Sequence, residues 1–496
     1  MAWRLQRLGL AALVVVTGAG GGVVAGRAVA PAEAGSTGRP VVTSAAASGP
    51  RTDLPRTGAA ASSPAPASDA PTGPPAPAPA VSGDAAAGPA SALVAGAPEP
   101  VAGSLQALLA SAYDGRALAG HPAGIVIDGL TGDVLYQRSS GTPSIPASTA
   151  KLATATAALT LLGPGARLTT RVVEGSGPGQ IVLVGGGDPT LASGTPPAGD
   201  TAAGLPELAR ATAAALEASG TTSVSLAYDA TLFSGPAVAP GWKPVYVTEG
   251  DVAPVSALSV DGGRARPGAD ARSPDPALAA ATRFRALLVA AGVTVTGLLP
   301  PRSAGGGKQL AAVQSPPVAD LVERMLTNSD NDIAEALARQ VALATHRAAT
   351  FADGAAAVVD ALSRVGMGGV TLVDGSGLSR LDRITPATLA ALLRLAASAD
   401  HPELRPILTG LPIAGFTGTM RHRFRDKATL AYDGVVRAKT GTLKDVSSMA
   451  GTVVDADGRL LVFAFVSNRT KPVTGRRTPQ QALDALIAVV AACGCR

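Results

Sequence analysis

Strand patterns at both ends of the globular part, with helical patterns between them, most narrow what this chain can become. Ile125-Val126-Ile127-Asp128 and Val134-Leu135-Tyr136 flank the turn Gly129-Leu130-Thr131-Gly132-Asp133, which predicts a hairpin. Far along the chain, Val446 to Val454 and Arg459 to Val466 flank Asp455-Ala456-Asp457-Gly458 and predict strands joined by a turn. Helical patterns cover Val318 to Ala344 and Gly354 to Val365, and a final helix is expected over Pro479 to Ala492. The economical architecture is α+β: one antiparallel sheet from both chain ends, covered by a helical cluster. Between about 171 and 310 the pattern is mixed, with Val224 to Tyr228 as a strand and Pro276 to Ala291 as a helix. That segment, 171–310, reads as a large α/β insertion, leaving 104–170 and 311–496 for the main domain. Gly185-Gly186-Gly187-Asp188-Pro189 follows a strand but lacks the G-K-[ST] ending of a phosphate loop, so a tight turn is expected.

Residues 1–30 have the layout of an export signal. Arg4 and Arg7 precede the apolar stretch Leu8 to Val16, and Ala28-Val29-Ala30 offers a small-x-small cleavage site. Cleavage is favoured, and an uncleaved segment would tether the chain to a membrane. Residues 31–103 are rich in Pro, Ala, Ser and Gly and cannot bury enough apolar surface to offset ordering, so a disordered linker is expected. Within it, Pro74 to Pro79 would form an extended spacer. The location implied is extracytoplasmic: secreted, in the cell wall or periplasmic space, or membrane-anchored. A net charge of +5 without a dense Lys/Arg run argues against nucleic-acid binding and allows only weak attraction to an anionic wall. His121, His346, His401 and His422 are scattered with no H-x-x-E-H, so neither a metal nor another cofactor is expected. Cys493 and Cys495 are one residue apart, which leaves a strained tail disulfide or free thiols, neither with a catalytic part.

Three short motifs carry chemistry. In Ser148-Thr149-Ala150-Lys151, at the head of an Ala/Leu-rich helical run, the amine lies one turn from the hydroxyl, as a serine nucleophile without histidine requires. A helix-capping serine and a surface lysine would give the same four residues. Ser329-Asp330-Asn331 lies between two helical patterns and could project a hydroxyl and an amide into a cleft; Ser329 with Asp332 also resembles a capping box. Lys439-Thr440-Gly441-Thr442 precedes the last strands, offering a fixed positive charge, a hydroxyl and room for close backbone approach; a plain strand with a glycine bulge is the alternative. Each is weak alone. Their occurrence together, in this order and each in a fitting context, is the pattern of penicillin-binding proteins and class A β-lactamases.

The chain resembles the penicillin-binding D-alanyl-D-alanine carboxypeptidase/endopeptidase family, the class C type 4 penicillin-binding proteins or S13 peptidases, over roughly residues 104–490. Ser148 and Ser329 stand about 180 positions apart, in keeping with that family's large insertion. Gly185 to Leu191, Pro254 to Asp261, Asp374 to Ser379, Leu411 to Gly415 and Gly418 to Arg421 also look like the family. The resemblance implies a β-lactamase/transpeptidase-like fold and a serine-type D-Ala-D-Ala carboxypeptidase, with cross-link endopeptidase activity left open. Ser148 would attack the carbonyl of the D-Ala-D-Ala bond in a peptidoglycan stem peptide, and a neutral Lys151 would take its proton. Lys439, by its charge, would help to keep Lys151 neutral. Ser329 would relay a proton to the leaving amine, and Asn331 would hold Lys151 and the substrate amide. Lys439 and Thr440 would bind the terminal carboxylate, and the backbone N–H groups of Ser148 and Thr442 would form the oxyanion hole. β-Lactams would form the same ester, leave slowly and so inhibit. No E-x-x-L-N pattern occurs, which argues against a β-lactamase. A non-catalytic sensor of β-lactams or muropeptides, with the same fold, and a structural wall protein are the rival readings.

Overall fold

The computed structural model describes residues 96–113, 117–118, 122–470 and 477–494. The export-signal segment 1–30, most of the 31–103 linker, His121 and Cys495 lie outside these residues. Cys493 is buried and disulfide-bonded.

The first sheet draws its strands from both chain ends. Its order is Arg437–Leu443, Val446–Val454, Leu460–Asn468, Ala123–Asp128, Val134–Arg138, and every neighbouring pair is antiparallel. Alternate residues point to opposite faces, and here each face has its own core. Ile125, Ile127, Val462, Ala464 and Val466 pack toward helices Lys151–Leu161, Asn331–Ala344 and Pro386–Ala397. Val126, Leu461, Phe463 and Phe465 pack toward helices Ala102–Ala112 and Pro479–Ala491. Strand Ala123–Asp128 is therefore buried at every residue, which cover on both faces alone permits.

Asp128 builds the first hairpin turn and ties it to the other chain end. Its Oδ1 accepts the N–H groups of Leu130 (2.7 Å) and Thr131 (2.9 Å), and its Oδ2 accepts from Arg459 Nε at 2.5 Å. Burial opposes ionisation of this carboxyl, but the guanidinium and the two turn amides together hold it below the usual carboxylate range. Asp128→Ala is expected to destabilise the fold by about 3–5 kcal/mol, because it leaves the largely buried Arg459 charge without its carboxylate and with only Ala97 O as acceptor. Urea unfolding measures this, and a loss under ~1 kcal/mol would reduce the pair to the rank of a surface contact.

Helix Lys151–Leu161 is buried all round rather than along one stripe: every residue from Lys151 to Leu159 is inaccessible. Helices Val318–Asn328, Asn331–Ala344, Phe351–Arg364 and Pro386–Ala397 enclose it, and its many alanines let them approach. Its two inner threonines are satisfied by backbone carbonyls: Thr156 Oγ1 donates to Leu152 O (2.9 Å) and Thr154 Oγ1 to Gly375 O (2.6 Å).

A second sheet has the order Thr294–Leu298, Ser223–Asp229, Gln180–Val184, Thr169–Glu174, Gln309–Gln314. Two of its pairings are parallel. Parallel neighbours need crossovers, and helices Leu205–Ala218 and Pro276–Ala290 provide them. No helix among the described residues is long and apolar enough to cross a membrane.

Candidate active site

Ser148 lies on the 3₁₀ turn Ala147–Ala150, which runs straight into helix Lys151–Leu161. The turn is held from behind: Thr149 Oγ1 (2.7 Å) and Ser448 Oγ (2.6 Å) both donate to Pro146 O. Ala147 has φ +49°, a left-handed conformation that costs a non-glycine residue free energy and is tolerated where surroundings enforce it. The three-residue spacing then brings Lys151 Nζ to 3.1 Å from Ser148 Oγ.

Lys151 is wholly buried, and its amine has two further contacts, Asn331 Oδ1 at 2.6 Å and Ser376 O at 2.7 Å. Burial pushes its pKa down to about 8, while Asp374, Glu335, Asp330 and Asp332 limit the fall. A fraction of neutral amine thus exists at physiological pH, which a general base requires.

Asn331 is the first residue of helix Asn331–Ala344, and Asp330, not Ser329, caps that helix by accepting Ile333 N–H (3.0 Å). Ser329 instead ends helix Val318–Asn328 with φ +60°. Its hydroxyl makes no hydrogen bond among the described residues, so Ser329 lies at this loop without a direct bond to Ser148 or Lys151. Residues of the second-sheet region fix the loop. Asn331 Nδ2 donates to Asp251 O (2.8 Å), Ala253 N–H donates to Asp332 Oδ1 (2.8 Å), and Arg272 pairs with Asp332 at 3.0 Å.

Lys439, Thr440, Gly441 and Thr442 lie on strand Arg437–Leu443, at the edge of the first sheet. Gly441 needs its missing side chain: a Cβ there would stand 2.2 Å from Ser448 Oγ and 2.7 Å from Pro146 O, so glycine lets the strand abut the turn that bears Ser148. Thr440 Oγ1 donates to Thr419 Oγ1 at 2.9 Å, and Thr442 is exposed. Lys439 is fully buried, its Nζ donates to Thr440 O (2.8 Å), and burial, with the Lys151 charge adding, pushes its pKa well below the ordinary lysine value. The carboxylates gather around Lys151.

The sequence motifs thus bring Ser148, Lys151 and Asn331 into direct contact and set the Lys439 strand beside them. They miss the third partner of the lysine, the Ser376 carbonyl, and the buried Glu335 behind it. The only sequence signal for these is the Asp374 to Ser379 segment, noted for family likeness without a role.

The chain matches the D-Ala-D-Ala carboxypeptidase 3 (S13) family over residues 105–274 and 265–490. It is 42% identical over 387 residues to a carboxypeptidase of Mycobacterium tuberculosis, covering 76% of this chain and 81% of that one. It is 31% identical over 441 residues to a D-alanyl-D-alanine carboxypeptidase of Actinomadura sp., covering 71% of this chain and 78% of the other. The crystal structure of penicillin binding protein 4 from Haemophilus influenzae superposes with a TM-score of 0.63 at 24% identity, over 77% of this chain and 97% of that one, and so shares the fold. With the match running from residue 105 to residue 490, this chain belongs to the D-Ala-D-Ala carboxypeptidase 3 (S13) family.

Proposed function

We propose that this protein is a serine-type D-Ala-D-Ala carboxypeptidase that acts on peptidoglycan stem peptides through an acyl-enzyme on Ser148 and is inhibited by β-lactams. The observation that carries this is the buried Lys151 amine 3.1 Å from Ser148 Oγ, with its pKa lowered to about 8 by burial, in a chain of this family. Ser148 Oγ attacks the scissile carbonyl, its proton passes to neutral Lys151, and the oxyanion is met by the Ser148 and Thr442 N–H groups. Ser329 returns a proton to the leaving D-alanine amine, Asn331 orients lysine and substrate, and Lys439 with Thr440 receives the terminal carboxylate. Water then hydrolyses the ester. A carboxylate bound beside Lys439 would favour the charged form of that lysine. Residues 171–310 act as an inserted unit that fixes the Asn331 loop, and residues 1–30 and 31–103 serve export and reach to an extracytoplasmic wall.

The test is intact mass after incubation with benzylpenicillin, alongside D-alanine release from a D-Ala-D-Ala peptide. Wild type should gain one adduct and release D-alanine, and Ser148→Ala should do neither while staying folded. A folded wild type that takes no adduct would sink the acyl-transfer reading. An adduct without D-alanine release would leave a sensor.

A further inference from the structure

Among the neighbours of the Lys151 amine, two can only accept. Ser376 offers a carbonyl oxygen, and Asn331 presents Oδ1 because its Nδ2 is committed to Asp251 O. A neutral amine has two N–H groups and one lone pair. With both N–H groups taken by these acceptors, the lone pair is left for the third neighbour, the Ser148 hydroxyl. The direction of proton transfer is therefore set by where the Ser376 carbonyl is held.

The residue that bears this carbonyl is held through its own N–H by Glu335, and the peptide of the carbonyl itself is held by Asp374, which accepts Gly377 N–H. The Glu335 side chain is 1% exposed, on helix Asn331–Ala344, one turn past Asn331. Its Oε1 accepts the N–H groups of Ser376 (2.9 Å) and Gly375 (3.2 Å), and its Oε2 accepts Gly375 N–H at 3.1 Å. On the other side of the same peptide, Thr154 Oγ1 donates to Gly375 O (2.6 Å). Asp374 closes the loop by accepting Gly377 N–H and Ser379 N–H, each at 2.7 Å, and Trp242 Nε1–H at 2.6 Å. We propose that Glu335 is a positioning residue for acylation: by gripping the Gly375 and Ser376 amides it aims the Ser376 carbonyl at Lys151 and so keeps the lysine lone pair on Ser148. This rests on the reading of Ser148 and Lys151 as nucleophile and base.

A charge effect accompanies the geometric one. The ionisable groups facing Lys151 are Asp374 from the loop, Glu335 and Asp332 from the helix, Asp330 at its cap, and Lys439 from the strand. Glu335 faces Asp374 and Arg339, and Asp382 lies close by; burial, then Asp374, pushes Glu335 up to about 8. A charged Glu335 opposes deprotonation of the lysine. Removing the carboxylate must move the acid limb of the acylation profile to lower pH.

The experiment is the rate of benzylpenicillin acylation by intact mass, from pH 5 to 9, for wild type, Glu335→Gln, Glu335→Ala and Thr154→Val. Loss of reacting geometry of this kind can cost on the order of 10²-fold. Glu335→Ala should show such a loss at the plateau. Glu335→Gln can still accept both amides through its carbonyl oxygen, so it should recover to within roughly tenfold of wild type, with its acid limb at lower pH. Thr154→Val should be slower than wild type, with the limb unmoved. Folded Glu335→Gln and Thr154→Val with wild-type rates and an unmoved limb overturn the inference. So does a Glu335→Gln as slow as Glu335→Ala with no shift of the limb, which marks a purely structural role. Should Glu335→Ala not fold, the other two variants decide. If wild type itself takes no adduct, it is the acyl-enzyme reading that fails; wild-type acylation with unaffected variants removes only the role of Glu335.

Discussion

Lys151→Ala is expected to slow acylation of Ser148 by about 10²–10⁴-fold, the range over which a positioned general base contributes. The amine works only when neutral, so the sign of the pH dependence is fixed. With a pKa near 8, the wild-type rate should climb as pH rises toward that value and level off above it. Below it the rate should fall roughly tenfold per pH unit, as for any base losing its neutral fraction. In Lys151→Ala this limb should vanish along with the rate. Alanine also leaves Asn331 Oδ1 and Ser376 O facing a void, and an unsatisfied buried acceptor typically costs about 1–3 kcal/mol. Some of the loss could therefore come from disturbed packing. Lys151→Arg separates the two. Arginine keeps a cation and several donors for those acceptors but does not deprotonate in proteins, so it should acylate about as slowly as alanine and show no limb near pH 8. A Lys151→Arg variant that reacts at the wild-type rate between pH 6 and 9 would remove the lysine from the role of base.

How far the site was legible follows from how each group is specified. Ser148 and Lys151 are local in sequence, and a helical repeat carries one to the other. Asn331 is found because a short polar stretch between two helical patterns is visible as composition. The Ser376 contribution is a backbone carbonyl, which no residue type announces, and Glu335 reaches its loop across 41 positions of chain. Lys439 was legible as a residue, while its complete burial was not. Its protonation depends on burial, a property of the packed sheet and helices. The first sheet shows in the sequence where its strands are apolar runs beside Gly and Asp turns, as in Ala123–Asp128 and Leu460–Asn468. Helix Leu205–Ala218, the crossover that lets two strands of the second sheet run parallel, carries a helical repeat in its buried Leu205, Leu208, Ala209, Thr212 and Leu216 and was legible by the same rule, though it was not read.

Gly377→Ala should damage the site from the opposite direction, by moving Ser148 rather than Lys151. Gly377 has φ +81°, and a Cβ there would stand 2.0 Å from Ala147 O and 3.0 Å from Ala150 Cβ. The left-handed conformation alone costs an L-residue about 1–2 kcal/mol. The overlap is with backbone, which cannot swing aside as a long side chain would, so the 3₁₀ turn bearing Ser148 must shift. Ala147 is already left-handed, and Pro146 O is pinned by Thr149 and Ser448, so the turn has little freedom to absorb the displacement. A misplacement near 1 Å can cost about 10²-fold. Gly377→Ala should therefore acylate at least that much more slowly and unfold at lower temperature. Unlike Glu335→Gln, it should leave the acid limb near pH 8, because no charge around Lys151 has changed. Acylation rate against pH, with a thermal melt on the same preparation, measures all three expectations. A folded Gly377→Ala that acylates like wild type would mean that the loop yields instead of the turn, and that the left-handed strain at Ala147 is not what holds Ser148 in place.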